Sequence, residues 1–245
     1  MGNNGLTFGN RPGDGWIESH MKSGDMLLLH RTRLLSGVAG TTMARIEEET
    51  SVQVLGAGSL LFEQGDQPRE AQIVLHGGVA LIGSLEDAEI VVEFFGSGEV
   101  LLAAAVILDL PYLVSARTTE ESRIATVPAA TFRSLLHADR RFAVAMTEEL
   151  ARHWRTLVRQ IKDLKLRSAT QRLAAYLLAN GVPGRSTMKI TIEKQVLASR
   201  LGMTPASLSR AFRELKALGV QTRGGHITLT DPESLRTFCH YDAMR

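Results

Sequence analysis

One cysteine, Cys239, stands in a chain of 245 residues. A lone thiol cannot close an internal disulfide, build a four-thiolate zinc site or hold an iron–sulfur cluster, so none of these organises the fold. Long apolar runs are also missing. The longest, Val100 to Leu108, falls far short of the roughly 20 residues that a bilayer-spanning helix needs. The first 25 residues hold no apolar stretch with a basic flank, which predicts no secretory signal, no membrane partner and a cytoplasmic location. Catalytic signatures are absent as well: the chain has no G-x-S-x-G, H-E-x-x-H or Walker-type loop, and it does not read as an enzyme.

Hydrophobic residues make up 44% of the chain, enough for a sizeable core in one large or two modest domains. The formal net charge of +2 is unevenly spread: Arg167 to Arg245 carries +7 and the preceding portion −5. Such asymmetry points to a C-terminal region that meets polyanions, although a basic face can also be merely solvated.

Residues 1–23, rich in Gly and Asn without sustained periodicity, read as a flexible tail. Helical spacing follows in "DMLLLHRTRLLSGVAGTTMARIEEE". From Val52 to Val127 short apolar or alternating runs are punctuated by glycine, which predicts an antiparallel sandwich or barrel, with "VLLAAAVILDLPYLV" as a short helix and loop packed on it. Next, Leu150, Trp154, Leu157, Ile161 and Leu164 recur at alternating spacings of four and three. The seam suits packing on the helix's own domain or a two-stranded coiled coil; its polar flanks favour self-association into a symmetric homodimer.

The stretch "LASRLGMTPASLSRAFRELKALGV", Leu197 to Val220, carries the strongest signal. Leu197, Ala198 and Leu201 form one face of a helix that Gly202 ends, and Thr204 then offers an N-cap to a second helix with Pro205 in its first turn. So short a connection forces a steep crossing, which needs the small Ala198 and a left-handed Gly202. Leu208, Ala211, Phe212, Leu215 and Leu218 bury the second helix, leaving Pro205, Ala206, Ser209, Arg210, Arg213 and Lys216 on its outer face. This is the layout of a helix-turn-helix whose second helix enters the major groove of double-stranded DNA, where Arg can bind guanine O6 and N7 bidentately. Thr204, Pro205, Ala206, Ser207, Ser209, Arg210, Arg213 and Lys216 are the candidate DNA contacts. Gly224-Gly225 marks a hairpin, a wing that puts Arg223 and His226 near a phosphate.

With these motifs in view, the chain after its tail resembles the bacterial transcription regulators typified by the cyclic-AMP receptor protein and the fumarate–nitrate reductase regulator. "LLFEQGD" with "IVLHGGVAL" is similar to that family's sensor β-roll, "GSGEV" to the start of its ligand-binding cassette, the heptad helix to its dimer helix, and "RLGMTPASLSRAFRELKALGV" to its recognition element. The resemblance implies an α+β architecture: a β-roll sensor over 24–136, a dimerisation helix over 137–166 and a winged helix-turn-helix over 167–245. It also implies RNA polymerase as a partner.

Two departures matter. Where the cyclic-AMP-binding branch has an Arg-Ser pair for the phosphate, this chain has Tyr112 and Leu113, which argues against cyclic AMP. In the recognition helix Ser209 and Arg210 match the fumarate–nitrate type, but Ala206 replaces its glutamate, so the base that glutamate would read loses its contact. Gly98, Glu99, Leu101, Leu102, Tyr112 and Leu113 remain the candidate effector pocket, in a cassette apolar enough to be plain core packing or a hydrophobic ligand site. Its pattern is closest to the cysteine-free, nitric-oxide-responsive regulators of nitrate respiration, and that resemblance makes haem a candidate effector. The axial ligand would come from His20, His30, His76, His137 or His153, none of which spacing singles out. The rival reading is a cyclic-nucleotide-binding signalling module without DNA binding; it lacks the phosphate arginine and leaves the basic C-terminal region unexplained.

Overall fold

The computed structural model describes residues 17–19, 22–85, 88–180, 187–189, 194–223 and 226–240. They fall into two compact units divided between Trp154 and Arg155.

The first unit runs through β1 (Ile17–Ser19), α1 (Ser23–His30), α2 (Gly40–Glu49), β2 (Ser51–Leu55), β3 (Leu60–Phe62), β4 (Glu70–His76), β5 (Gly78–Leu85), β6 (Ala88–Gly96), β7 (Val100–Leu101), α3 (Ala103–Leu108), β8 (Ser115–Thr118), β9 (Ser122–Pro128) and α4 (Ala129–Ala138), and enters the long helix α5 (Arg140–Leu166). Its strands form a five-stranded sheet, β1-β2-β9-β4-β7, and a four-stranded sheet, β3-β8-β5-β6, with antiparallel pairing throughout. The segment read as a tail therefore contributes an edge strand, Ile17 pairing with Val54 and Ser19 with Val52; residues 1–16, 20 and 21 lie outside the described residues.

Side chains alternate along a strand, and here both faces are apolar. Val74 and Ile124 point into the core between the sheets, with Leu55, Val79, Leu81, Phe95 and Ala116. Their neighbours Ile73, Leu75, Ala125 and Val127 face a second core roofed by Leu29, Leu34, Ile46, Val106, Phe132, Phe142 and Met146 from the surrounding helices. Burial on both faces explains the uninterrupted apolar run Ile73-Val74-Leu75. The β4–β5 turn requires glycine: Gly77 has φ +90°, and a Cβ there would come within 3 Å of the Glu121 carbonyl oxygen and Ser122 Cα. Asp139 fixes the start of α5, one carboxylate oxygen accepting from the N–H groups of Arg141 and Phe142 and the other from the Ala39 N–H and the Thr42 hydroxyl.

The second unit contains α5 from Arg155 onward, then α6 (Ala169–Asn180), β10 (Thr187–Lys189), α7 (Lys194–Arg200), α8 (Pro205–Leu215), a single 3₁₀ turn at Lys216–Leu218, β11 (Val220–Arg223), β12 (His226–Leu229) and α9 (Pro232–Phe238). Leu173, Leu177, Leu197, Ala198, Leu208, Leu215, Ile227 and Leu235 make its core, each buried leucine or isoleucine stabilising by roughly 1.5–3 kcal/mol. Cys239 is fully buried in the same cluster, and that burial raises its thiol pKa. The three strands pair in the order β10-β12-β11. Among the described residues, no helix is long and apolar enough to cross a membrane.

Candidate nucleic-acid interface and sensor cassette

The turn after α7 is a Schellman-type end. Gly202 takes φ +61°, its N–H donates to the Ser199 carbonyl, and the Met203 N–H reaches back to Ala198. Thr204 then caps α8, its Oγ1 accepting from the Ser207 N–H at 3.1 Å, with Pro205 in the first turn. One turn-holding group has no local sequence signal. Arg172, on α6, donates through Nε to the Leu201 carbonyl at 2.7 Å and through Nη2 to that of Gly202 at 3.1 Å, satisfying carbonyls that the end of α7 leaves open.

Leu208, Ala211 and Leu215 bury one side of α8, while Thr204, Pro205, Ala206, Ser209, Arg210 and Arg213 are exposed and Ser207 is half-buried. Lys216, assigned to this helix from its spacing, is exposed in the 3₁₀ turn just beyond it. The serine hydroxyls are engaged locally: Ser209 Oγ donates to the Pro205 carbonyl, and Ser207 Oγ accepts from Thr204. Glu214, the acidic residue of α8, accepts from the Thr170 hydroxyl of α6 at 2.6 Å. The exposed face is thereby left to the cations. In the wing Arg223 pairs with His226 across the hairpin and both are exposed; Gly224 and Gly225 lie outside the described residues.

The heptad positions lie on α5. Trp154 is 68% exposed and Ile161 52%, with Leu157 and Leu164 also exposed, whereas Leu150 packs partly against the sensor core. Leu164 also reaches Gly202, since a Cβ on that glycine would meet its Cδ2 at 2.6 Å.

In the cassette Gly98 has φ +89°, and Glu99 Oε2 accepts from the Gly96 N–H at 2.6 Å. Leu101 is core and Leu102 packs against it with a left-handed backbone, φ +39°. Tyr112 is buried, its ring stacked on Phe62 at 3.8 Å, and its phenol is pushed up to about 12, chiefly by burial and further by Glu70 and Asp66. Leu113, grouped with the pocket from the sequence, is instead 85% exposed. Neither residue offers the cation that a cyclic phosphate needs. Of the histidines, His30 pairs with Glu47, His76 is exposed at the end of β4 and His137 lies on α4; His20 is outside the described residues. His153 packs its ring edge-on to Phe95 at 5.1 Å.

Comparison with known proteins agrees with this geometry. Residues 171–238 match the Crp-like helix-turn-helix domain family and residues 52–139 the cyclic nucleotide-binding domain family. No curated protein matches the chain. Among solved structures, a protein from Silicibacter pomeroyi DSS-3, provisionally assigned as a cAMP-binding regulatory protein, is 27% identical, with a TM-score of 0.56 over 89% of this chain and 99% of its own. A transcriptional regulator from Eubacterium rectale, provisionally assigned to the Crp/Fnr family, is 19% identical, with a TM-score of 0.66 over 84% of this chain and 97% of its own. FixK2 from Bradyrhizobium japonicum is 17% identical, with a TM-score of 0.66 over 77% and 96%. A domain matching the cyclic nucleotide-binding family followed by one matching the Crp-like helix-turn-helix family is the layout of a DNA-binding transcription regulator.

Proposed function

We propose that the chain acts as a homodimer that recognises a two-fold related DNA sequence under control of an effector other than cyclic AMP. The observation that carries this reading is the outer face of α8, where Arg210 and Arg213 stand exposed behind a capped, proline-started first turn while Leu208, Ala211 and Leu215 anchor the opposite side. The apolar stripe Trp154, Leu157, Ile161 and Leu164 supplies a seam for a second copy. Two copies would present recognition helices to half-sites about one DNA turn, roughly 34 Å, apart. Tyr112 and Leu113, standing where a phosphate-binding pair would be needed, argue against cyclic AMP. RNA polymerase is the partner through which bound protein would act on transcription.

Selection of bound sequences from random duplexes tests the reading. A palindromic consensus bound by a dimer supports it; equal retention of all sequences, or binding as a monomer, refutes it.

A further inference from the structure

We propose that Glu99, Glu149 and His153 form a site for a first-row divalent cation between the cassette and α5. One ligand atom from each lies within 4.8 Å of the other two. Their chemistry, one imidazole and two carboxylates, is that of zinc, manganese and ferrous sites.

The group does more than share a surface. Glu149 is buried, with a side chain only 4% exposed, and its two oxygens are divided: Oε2 accepts from Arg152 Nε at 3.1 Å, while Oε1 faces His153 Nε2 at 3.6 Å. That gap is too long for a hydrogen bond. Nε2 is nonetheless sealed from solvent, and among the described residues it is one of two buried side-chain polar atoms with no hydrogen-bond partner. A buried imidazole nitrogen without a partner costs about 1–3 kcal/mol unless something occupies it, and a cation would do so.

The cations at Glu149 stand on its other oxygen: Arg152, shared with Glu148, and Arg33, at 3.9 Å, both approach Oε2 and leave Oε1 to the imidazole. Each proposed ligand is also oriented from behind, as ligands at metal sites are: Glu99 by the Gly96 N–H, Glu149 by Arg152, and the imidazole by the edge-on Phe95 ring. Two carboxylates this close to the imidazole favour a small ion over a porphyrin plane. The bound ion would tie the cassette to α5. The site stands independently of DNA recognition, since it is read without DNA.

The test titrates metal-free full-length protein with Zn²⁺ by calorimetry and with Co²⁺ by visible absorption, beside Glu99→Gln and His153→Gln. Glu149 is kept because it also pairs with Arg152, and far-UV circular dichroism with DNA mobility shift checks that both variants are folded. One equivalent per chain is expected, with each variant weakening Zn²⁺ binding about tenfold or more and altering the Co²⁺ ligand-field bands. No saturable binding, wild-type affinity in both variants, or a loss confined to one of them overturns the proposal. DNA recognition that persists in that event leaves the regulator reading intact.

Discussion

Arg172 Nε donates to the Leu201 carbonyl at 2.7 Å, so α6 holds in place the turn from which α8 starts. The same guanidinium reaches Gly202 and the Arg167 carbonyl. Arg172→Met removes three charge-assisted bonds to part-buried and exposed carbonyls, and should cost about 1–3 kcal/mol in chemical denaturation. Arg172→Lys should recover little, because a point charge cannot span three diverging acceptors. Full recovery by lysine would show that charge alone matters.

Arg210 and its neighbours on α8 should separate by role. Arg210→Ala is expected to lose about 1–3 kcal/mol of specific binding and relax one base preference, whereas Arg213→Ala or Lys216→Ala should weaken all sequences alike and reduce the salt slope by about one. Footprinting against salt measures both. Equal losses for Arg210→Ala on specific and random DNA would withdraw its base-reading role.

A charge placed in the apolar stripe should prevent self-association. Ile161→Glu, at an exposed position outside the three hydrophobic cores, is expected to yield a folded monomer by sedimentation, with weaker binding to a two-half-site duplex. An unchanged dimer would place the interface elsewhere.

Two buried groups set opposite pH limits on the sensor unit. The Thr42 hydroxyl, the Ala39 N–H and the α5 amides hold the Asp139 carboxyl down at about 2. Its folded value lies below its unfolded one, so its stabilisation is complete above about pH 4 and is lost as pH falls toward 2. Asp139→Ala should cost about 1–2 kcal/mol at neutral pH and flatten the acid limb of the stability curve. Tyr112 is the reverse case, its phenol raised to about 12. Stability linked to it is complete below about pH 10 and lost as pH climbs through 12. Burial raises Tyr176 as well, so two of the three tyrosines should ionise late in a near-UV titration, and Tyr112→Phe should shrink that phase to the Tyr176 contribution.

Local rules made the DNA-binding half legible. Gly202, Thr204 and Pro205 state a helix end and a helix start within a few residues, and no distant contact is needed to read them. The strands were legible from glycine punctuation, but β1 was not, because a short edge strand in a polar, glycine-rich segment is defined by its partner β2 rather than by its own pattern. Leu113 misled for a related reason: an apolar residue in an apolar stretch gives no sign of which way its loop turns it. Arg172, Glu149 and His153 act across sequence gaps that periodicity does not bridge. Only the four-residue spacing of Glu149 and His153, which puts both on one face of α5, was available, and Glu99 joins them only once the cassette is folded.

Cys239 is sealed in the core of the second unit and its thiol is held protonated by that burial. Thiol reagents should reach it no faster than that core opens, so the rate of alkylation becomes a clock for breathing of the DNA-reading half, built into the natural chain and silent about the rest of it.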